Sequence, residues 1–184
     1  MKQGARALGV AESYRTETST LAGVVTRVSG VVDGFVFGSC TVGGTDATEQ
    51  ICEMHRRLGR EDLQYLLLAG VGLAWYNVVD LHELRAETGL PVVSVSFEES
   101  TGLEPAIREA FDGAAATERL ETYRSLPDRR ELSVGEETVF HRSVGIDPDE
   151  AAEVIRAYTP GGGRPEPLRV ARLAARAADQ RPDG

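Results

Sequence analysis

The chain reads as an α/β domain on a mixed sheet, an antiparallel meander followed by parallel strands, with flanking helices. Three observations predict this: strands without helices at the start, a tight turn between two of them, and strand–helix alternation afterwards. Ala5 to Ala11 is short and apolar and ends at Glu12-Ser13-Tyr14. Leu21 to Val28 is rich in Val and Thr. Ser29-Gly30 then turns the chain into Val31 to Val42, which obliges those two strands to pair antiparallel. The period changes next. Thr45 to Leu58 carries Ala47, Ile51, Met54 and Leu58 at helical spacing, and Thr45 or Asp46 can cap its start. Leu63 to Gly70 has the length and composition of a buried strand. Val78 to Thr88 is helical, closed by Gly89 and Pro91, and Val92 to Phe97 is the next strand. Apolar strands linked through a helix pair in parallel.

The remainder is less regular. Leu103 to Phe111 and Ala116 to Tyr123 have helical spacing, and Arg129 to Val134 and Thr138 to Val144 flank Gly135-Glu136-Glu137 as a hairpin. Pro148 opens a helix that reaches Tyr158, Pro160-Gly161-Gly162-Gly163 breaks the chain, and Pro167 to Ala178 is a final helix. Residues 1–179 are thus expected as one domain, with 180–184 as a frayed tail. The order of elements is that of a ribonuclease-H-like sheet. A doubly wound dinucleotide fold would alternate from its first strand.

With 184 residues, 41% of them hydrophobic, the chain can bury a sizeable core. No run approaches the roughly 18 apolar residues of a membrane-spanning helix. The start, Met1 to Arg6, lacks the apolar region of a signal peptide, so a cytosolic protein without a membrane partner is expected. Cys40 and Cys52 are too few for a disulfide framework or a cysteine zinc site and read as reduced thiols. Net charge is −9, and Lys2 is the only lysine among 20 basic residues. Excess carboxylate with arginine in place of lysine suggests a high-salt cytoplasm. It also argues against a broad basic surface for nucleic acid. High salt weakens phosphate contacts in any case, so that argument is a weak one.

Several segments resemble the endonuclease dU family, an archaeal group related to endonuclease V. Ala7-Leu8-Gly9-Val10-Ala11-Glu12-Ser13 is similar to the family's first strand. Thr41-Val42-Gly43-Gly44-Thr45-Asp46-Ala47-Thr48-Glu49 resembles its turn into the first helix. Leu68-Ala69-Gly70-Val71 through Trp75-Tyr76-Asn77-Val78-Val79-Asp80 resembles a strand–loop–helix signature, and Pro165 to Ala171 its closing motif. The resemblance implies metal-assisted cleavage, with Mg²⁺ or Mn²⁺, of DNA near a deaminated base, deoxyuridine in particular. This chain departs from the pattern twice. The paired aspartates that usually end the first strand are Ala11-Glu12, and an aspartate often found before the helix turn is Gly43.

Phosphodiester hydrolysis by a hard divalent ion needs carboxylates converging on one point. Glu12 ends the first strand, Asp46 starts the first helix and Asp80 precedes the next, so all three are expected at one end of the sheet as catalytic metal ligands. Glu49 would share a helix face with Asp46. Asp46 as a helix cap and Asp80 at a helix dipole need no metal. Trp75 and Tyr76 could stack on an extruded base and Asn77 read its edge, or the aromatics could face the core while Asn77 caps the helix. Arg169, Arg172 and Arg176 lie on one helix face, for phosphate contact or for ion pairs within this acidic surface. Gly70-Val71-Gly72 begins like a dinucleotide fingerprint, but Trp75 stands where its third glycine should be. His55, His82 and His141 share no ligand spacing. The leading function is a metal-dependent endonuclease for deaminated DNA; the alternative, from a different class, is a nucleic-acid-binding or regulatory protein that kept the fold and lost the metal site.

Overall fold

A computed structural model describes residues 1–180; beyond Gln180 the expected tail lies outside the described residues. Strands β1 (Arg6–Tyr14), β2 (Thr18–Arg27) and β3 (Val32–Thr41) form an antiparallel meander. Ser29-Gly30 makes the second turn, with Gly30 at φ +86° donating to the Arg27 carbonyl. After helix α1 (Ala47–Leu58), β4 (Tyr65–Leu68) runs parallel to β1. A small hairpin of β5 (Gly72–Leu73) and β6 (Asn77–Val78) follows, then α2 (Leu81–Thr88) and β7 (Val92–Ser96), parallel to β4. Next come α3 (Glu104–Ala110), α4 (Gly113–Ser125), β8 (Arg130–Val134) and β9 (Glu137–Val144), and last α5 (Pro148–Ala157) and α6 (Glu166–Asp179). The main sheet has the order β3-β2-β1-β4-β7-β9-β8, with β9 antiparallel to β7. The expected mixed sheet, with the first strand flanked on both sides, is present.

Of the boundaries that differ from the sequence reading, two matter for the site. β1 continues three residues past Ala11, because Ser19 to Leu21 of β2 pair with it through Tyr14. Glu12 therefore sits inside a strand, opposite Leu21. The helix expected from Val78 begins only at Leu81, since Asp80 accepts from the backbone N–H groups of His82 and Glu83 and so fixes its start.

Alternation along β1 sends Leu8 and Val10 to one face, where they meet Leu21, Val25, Ile51 and Met54 under α1. Ala7 and Ala11 point to the other face, under α5 and α6. Each fully buried Leu or Ile contributes about 1.5–3 kcal/mol, against roughly 0.2–1 kcal/mol for an exposed ion pair. The two apolar layers, not the arginine–carboxylate pairs outside, hold the fold.

Gly9 permits the closest approach between α6 and the sheet. A Cβ at this position would lie 2.5 Å from the Cβ of Pro167. That contact seats the start of α6 on β1 and sets where Arg172 and Arg176 project. Gly9→Ala should lower stability by about 1–3 kcal/mol through overpacking, read as a lower urea midpoint. An unchanged midpoint would mean that α6 does not press on β1 there.

Candidate nucleic-acid interface

A cleft of about 650 Å³ opens across the carboxyl ends of β1, β4 and β7, where sheets of this kind place ligands. Ala11 and Ala69 form part of its floor, and both present only methyl groups. Its walls carry five arginines from distant parts of the chain: Arg129, Arg142, Arg164, Arg172 and Arg176. Glu12 and Glu98 are the acidic residues that border it.

Three of these arginines are held by groups that do not neutralise them. Arg129 stacks over the Phe140 ring at 3.9 Å, Arg164 over Phe97 at 4.0 Å and Arg142 over Tyr123 at 5.2 Å. Arg129 also donates to the carbonyls of Glu98 and Ser100, and Arg142 to the Pro127 carbonyl and the Tyr123 hydroxyl. Among the described residues, none of the five has a carboxylate within 4.0 Å, although Arg6, Arg27, Arg60 and Arg124 elsewhere all do. Burial lowers the pKa of Arg164, and Arg172 and Arg176 beside it lower it further. Burial and then Arg142 act in the same direction on Arg129. Clustered cations that weaken one another make a pocket that attracts anions.

The three acids expected as metal ligands do not converge. Glu12 is half-buried on the α1 face, and its carboxylate accepts from the Ala74 backbone N–H at 2.9 Å to either oxygen and from the Ser19 hydroxyl at 2.6 Å. Asp46 turns back from α1 to accept from the Thr41 N–H at 3.0 Å, the Thr41 hydroxyl at 2.9 Å and the Asn77 amide at 2.8 Å. Burial opposes its charge, but these donors outweigh it and hold the carboxyl below its ordinary pKa. Asp80 is the N-cap of α2, and its own N–H donates to Thr48. Glu49 is exposed on α1. Among the described residues, no three of His, Cys, Asp and Glu are placed to hold a metal ion together. The set does not fit a hard divalent cation, which wants several free carboxylate oxygens at one point.

The expected substrate contacts divide in the same way. Asn77 is fully buried, donates to Asp46 and to the Thr41 carbonyl, and accepts from the Ala47 N–H at the start of α1. These contacts engage its amide, and it caps α1, the role that Asp46 leaves. Tyr76 packs beside Val78, Ile107 and Leu120. Trp75 is 54% exposed. Arg169 is held by Glu166 at 2.7 and 2.8 Å, so only Arg172 and Arg176 of the expected basic stripe reach the cleft. The glycine pair after β4 opens no helix. Gly72 instead makes room for Leu103, which would lie 2.6 Å from a Cβ there.

Ala74, Trp75 and Tyr76 have φ of +42°, +60° and +57°, three successive left-handed residues without a glycine. Such geometry costs on the order of 1–2 kcal/mol per residue and persists only where its surroundings impose it. Here Glu12 grips the Ala74 N–H, and the Ala74 carbonyl accepts from Gly43 at 2.7 Å. Among the thiols, Cys40 is buried, and its pKa is pushed up to about 12 by that burial and by the nearby charges of Glu12 and Asp46.

The Asp46 network makes a pH-dependent prediction. A carboxyl whose folded pKa is depressed stabilises the fold above its unfolded value of about 4, and that gain fades as pH falls through the folded pKa. Asp46→Asn turns one acceptor into a donor facing donors, and should cost roughly 1–3 kcal/mol at pH 7. The gap to the unsubstituted protein should narrow below about pH 4, where the native carboxyl also becomes protonated. Urea titrations across that range would show it. A gap that is constant with pH would rule out a charged Asp46.

Known proteins resemble nearly the whole chain. A protein designated UPF0215 from Pyrobaculum calidifontis is 36% identical over 173 residues, covering 91% of this chain and 93% of its own. The crystal structure of a protein of unknown function from Archaeoglobus fulgidus matches with a TM-score of 0.84 at 28% identity, over 95% of this chain and 98% of that one. Ciona intestinalis endonuclease V, in complex with a 24mer DNA containing an inosine followed by a ribo-adenosine, has a TM-score of 0.64 at 14% identity and covers 96% of this chain and 86% of its own. At that identity the likeness is one of fold. The sequence profile described as Endonuclease dU matches residues 3–179, and the chain belongs to the endonuclease dU family.

Proposed function

We propose that this protein binds DNA, with the phosphate backbone lying in the arginine-lined cleft and no carboxylate-held metal centre beneath it. The observation that carries this reading is a cluster of five arginines without a carboxylate partner among the described residues, in a chain of net charge −9. Stacking on Phe140 and Tyr123 and bonds to neutral oxygens orient Arg129 and Arg142 without cancelling their charge, and Arg164 stacks on Phe97; a planar guanidinium suits phosphate oxygens. At the position of a family aspartate, Ala11 is 1% exposed and packed with Val24 and Ala171. Alanine there leaves the floor of the cleft without a carboxylate at that point.

A second reading is metal-dependent cleavage of deoxyuridine-containing DNA. Family membership favours it, together with Glu12 at the edge of the cleft. In that reading Glu12 shares its oxygens between the cation and its present donors, Ala74 and Ser19. Two experiments test the pair of readings. First, the affinity for a DNA oligonucleotide, followed against salt, should fall steeply, and Arg172→Ala should reduce the log–log slope by about one. A slope unaffected by Arg172→Ala and Arg164→Ala would remove the cleft from binding. Second, uracil- and hypoxanthine-containing strands with Mg²⁺, Mn²⁺ or EDTA should be bound and left whole. Cleavage abolished by EDTA would establish the second reading in place of the first.

A further inference from the structure

Trp75 is the only tryptophan of the chain, and the fold holds it out into solvent. It stands at the tip of the β5–β6 hairpin, on the central residue of the left-handed turn. The two sides of that hairpin are fixed independently. Gly72 and Glu12 both line the arginine cleft, and Glu12 holds the Ala74 N–H directly before Trp75. On the far side Tyr76 is packed with Ile107 and Leu120, and Asn77 is locked to the start of α1. The Trp75 ring leans on that of Tyr76, with centroids 5.3 Å apart and planes at 55°, which leaves its outer face uncovered. Packing does not explain why an apolar ring is displayed on a backbone conformation that such residues avoid. Presentation to a ligand does.

We infer that Trp75 stacks on an unpaired nucleobase of a DNA strand whose phosphates lie in the cleft, and that Glu12 is the positioning residue that holds Trp75 there. The inference rests on the DNA-binding reading and narrows it to single-stranded DNA or an extruded base. Stacking on an aromatic side chain tolerates any base, because every base has a π-face, and it requires that base to be out of the duplex. A positively charged groove beside an aromatic platform is the usual arrangement for gripping single strands.

The single tryptophan makes the test direct. A dye-labelled oligodeoxythymidylate is titrated into the full chain at low salt. Dye anisotropy reports binding, and tryptophan emission reports stacking. The expected result is quenching of Trp75 that saturates together with the anisotropy, while a blunt duplex of equal length binds without quenching. Trp75→Ala should weaken single-strand binding by roughly 5- to 100-fold, and should weaken duplex binding less. Glu12→Ala should reduce both the quenching and the preference for single strands. Glu12→Gln keeps an acceptor for the Ala74 N–H and should restore both. Circular dichroism melts of each variant separate these effects from unfolding. Binding of the unsubstituted protein without change in its emission overturns the stacking inference and leaves the DNA-binding reading standing. No binding of either DNA overturns both.

Discussion

A half-buried carboxylate in a strand must find donors or carry a large desolvation cost, and at Glu12 that requirement organises one end of the molecule. Its donors come from Ser19, on the neighbouring strand, and from Ala74, sixty-two positions along the chain. Holding Ala74 fixes the left-handed turn, and the turn fixes where β6 returns. Asn77, in β6, then reaches Ala47, Thr41 and Asp46 together and settles how α1 begins. A residue expected to grip a metal ion is in this way the anchor of a hairpin. The carboxylate of Asp46 belongs to the same chain of contacts. Turning either acid away would release its donors, the Ala74 N–H and Ser19 hydroxyl at Glu12 and those of Thr41 and Asn77 at Asp46.

Charge is distributed against the average of the chain. Acidic residues outnumber basic ones, 29 to 20, and outside the cleft many arginines are paired with them. Inside it the guanidinium groups meet aromatic rings and carbonyl oxygens instead. Rings orient a guanidinium without neutralising it, so the local field stays positive in a negatively charged protein. Net charge therefore says little about whether such a protein can hold a polyanion. The position of the unpaired cations decides it.

The meander, the later alternation of strand and helix, and the final hairpin were legible in the sequence because each rests on local period and turn chemistry. Glu12 was expected to end the first strand, but pairing with β2 carries that strand two residues beyond it. The partners of the acids were not legible. Asp46 is bound by Thr41 and Asn77 and Glu12 by Ala74, and no spacing rule shows in which direction a side chain turns. The arginine stripe of α6 showed one face, yet Arg169 is drawn away by Glu166, three residues before it, while Arg172 and Arg176 stay free to meet the cleft. Arg129, Arg142 and Arg164 join them from a strand edge, a hairpin and a loop. Only the folded sheet brings those together, and the sequence carried no signal for it. Of the aromatic pair, one ring is exposed and the other packed, a difference of one residue in a turn of unusual hand.

The central claim is that the cleft holds DNA through its arginines and that Glu12 serves as an anchor, not as a metal ligand. The most direct measurement is the affinity for one single-stranded oligonucleotide in EDTA and in Mg²⁺ at matched ionic strength, for the unsubstituted protein and for Glu12→Gln. The account predicts equal affinity with and without the metal in both proteins. Binding that is strengthened by Mg²⁺ in the unsubstituted protein, and no longer so in Glu12→Gln, would contradict it.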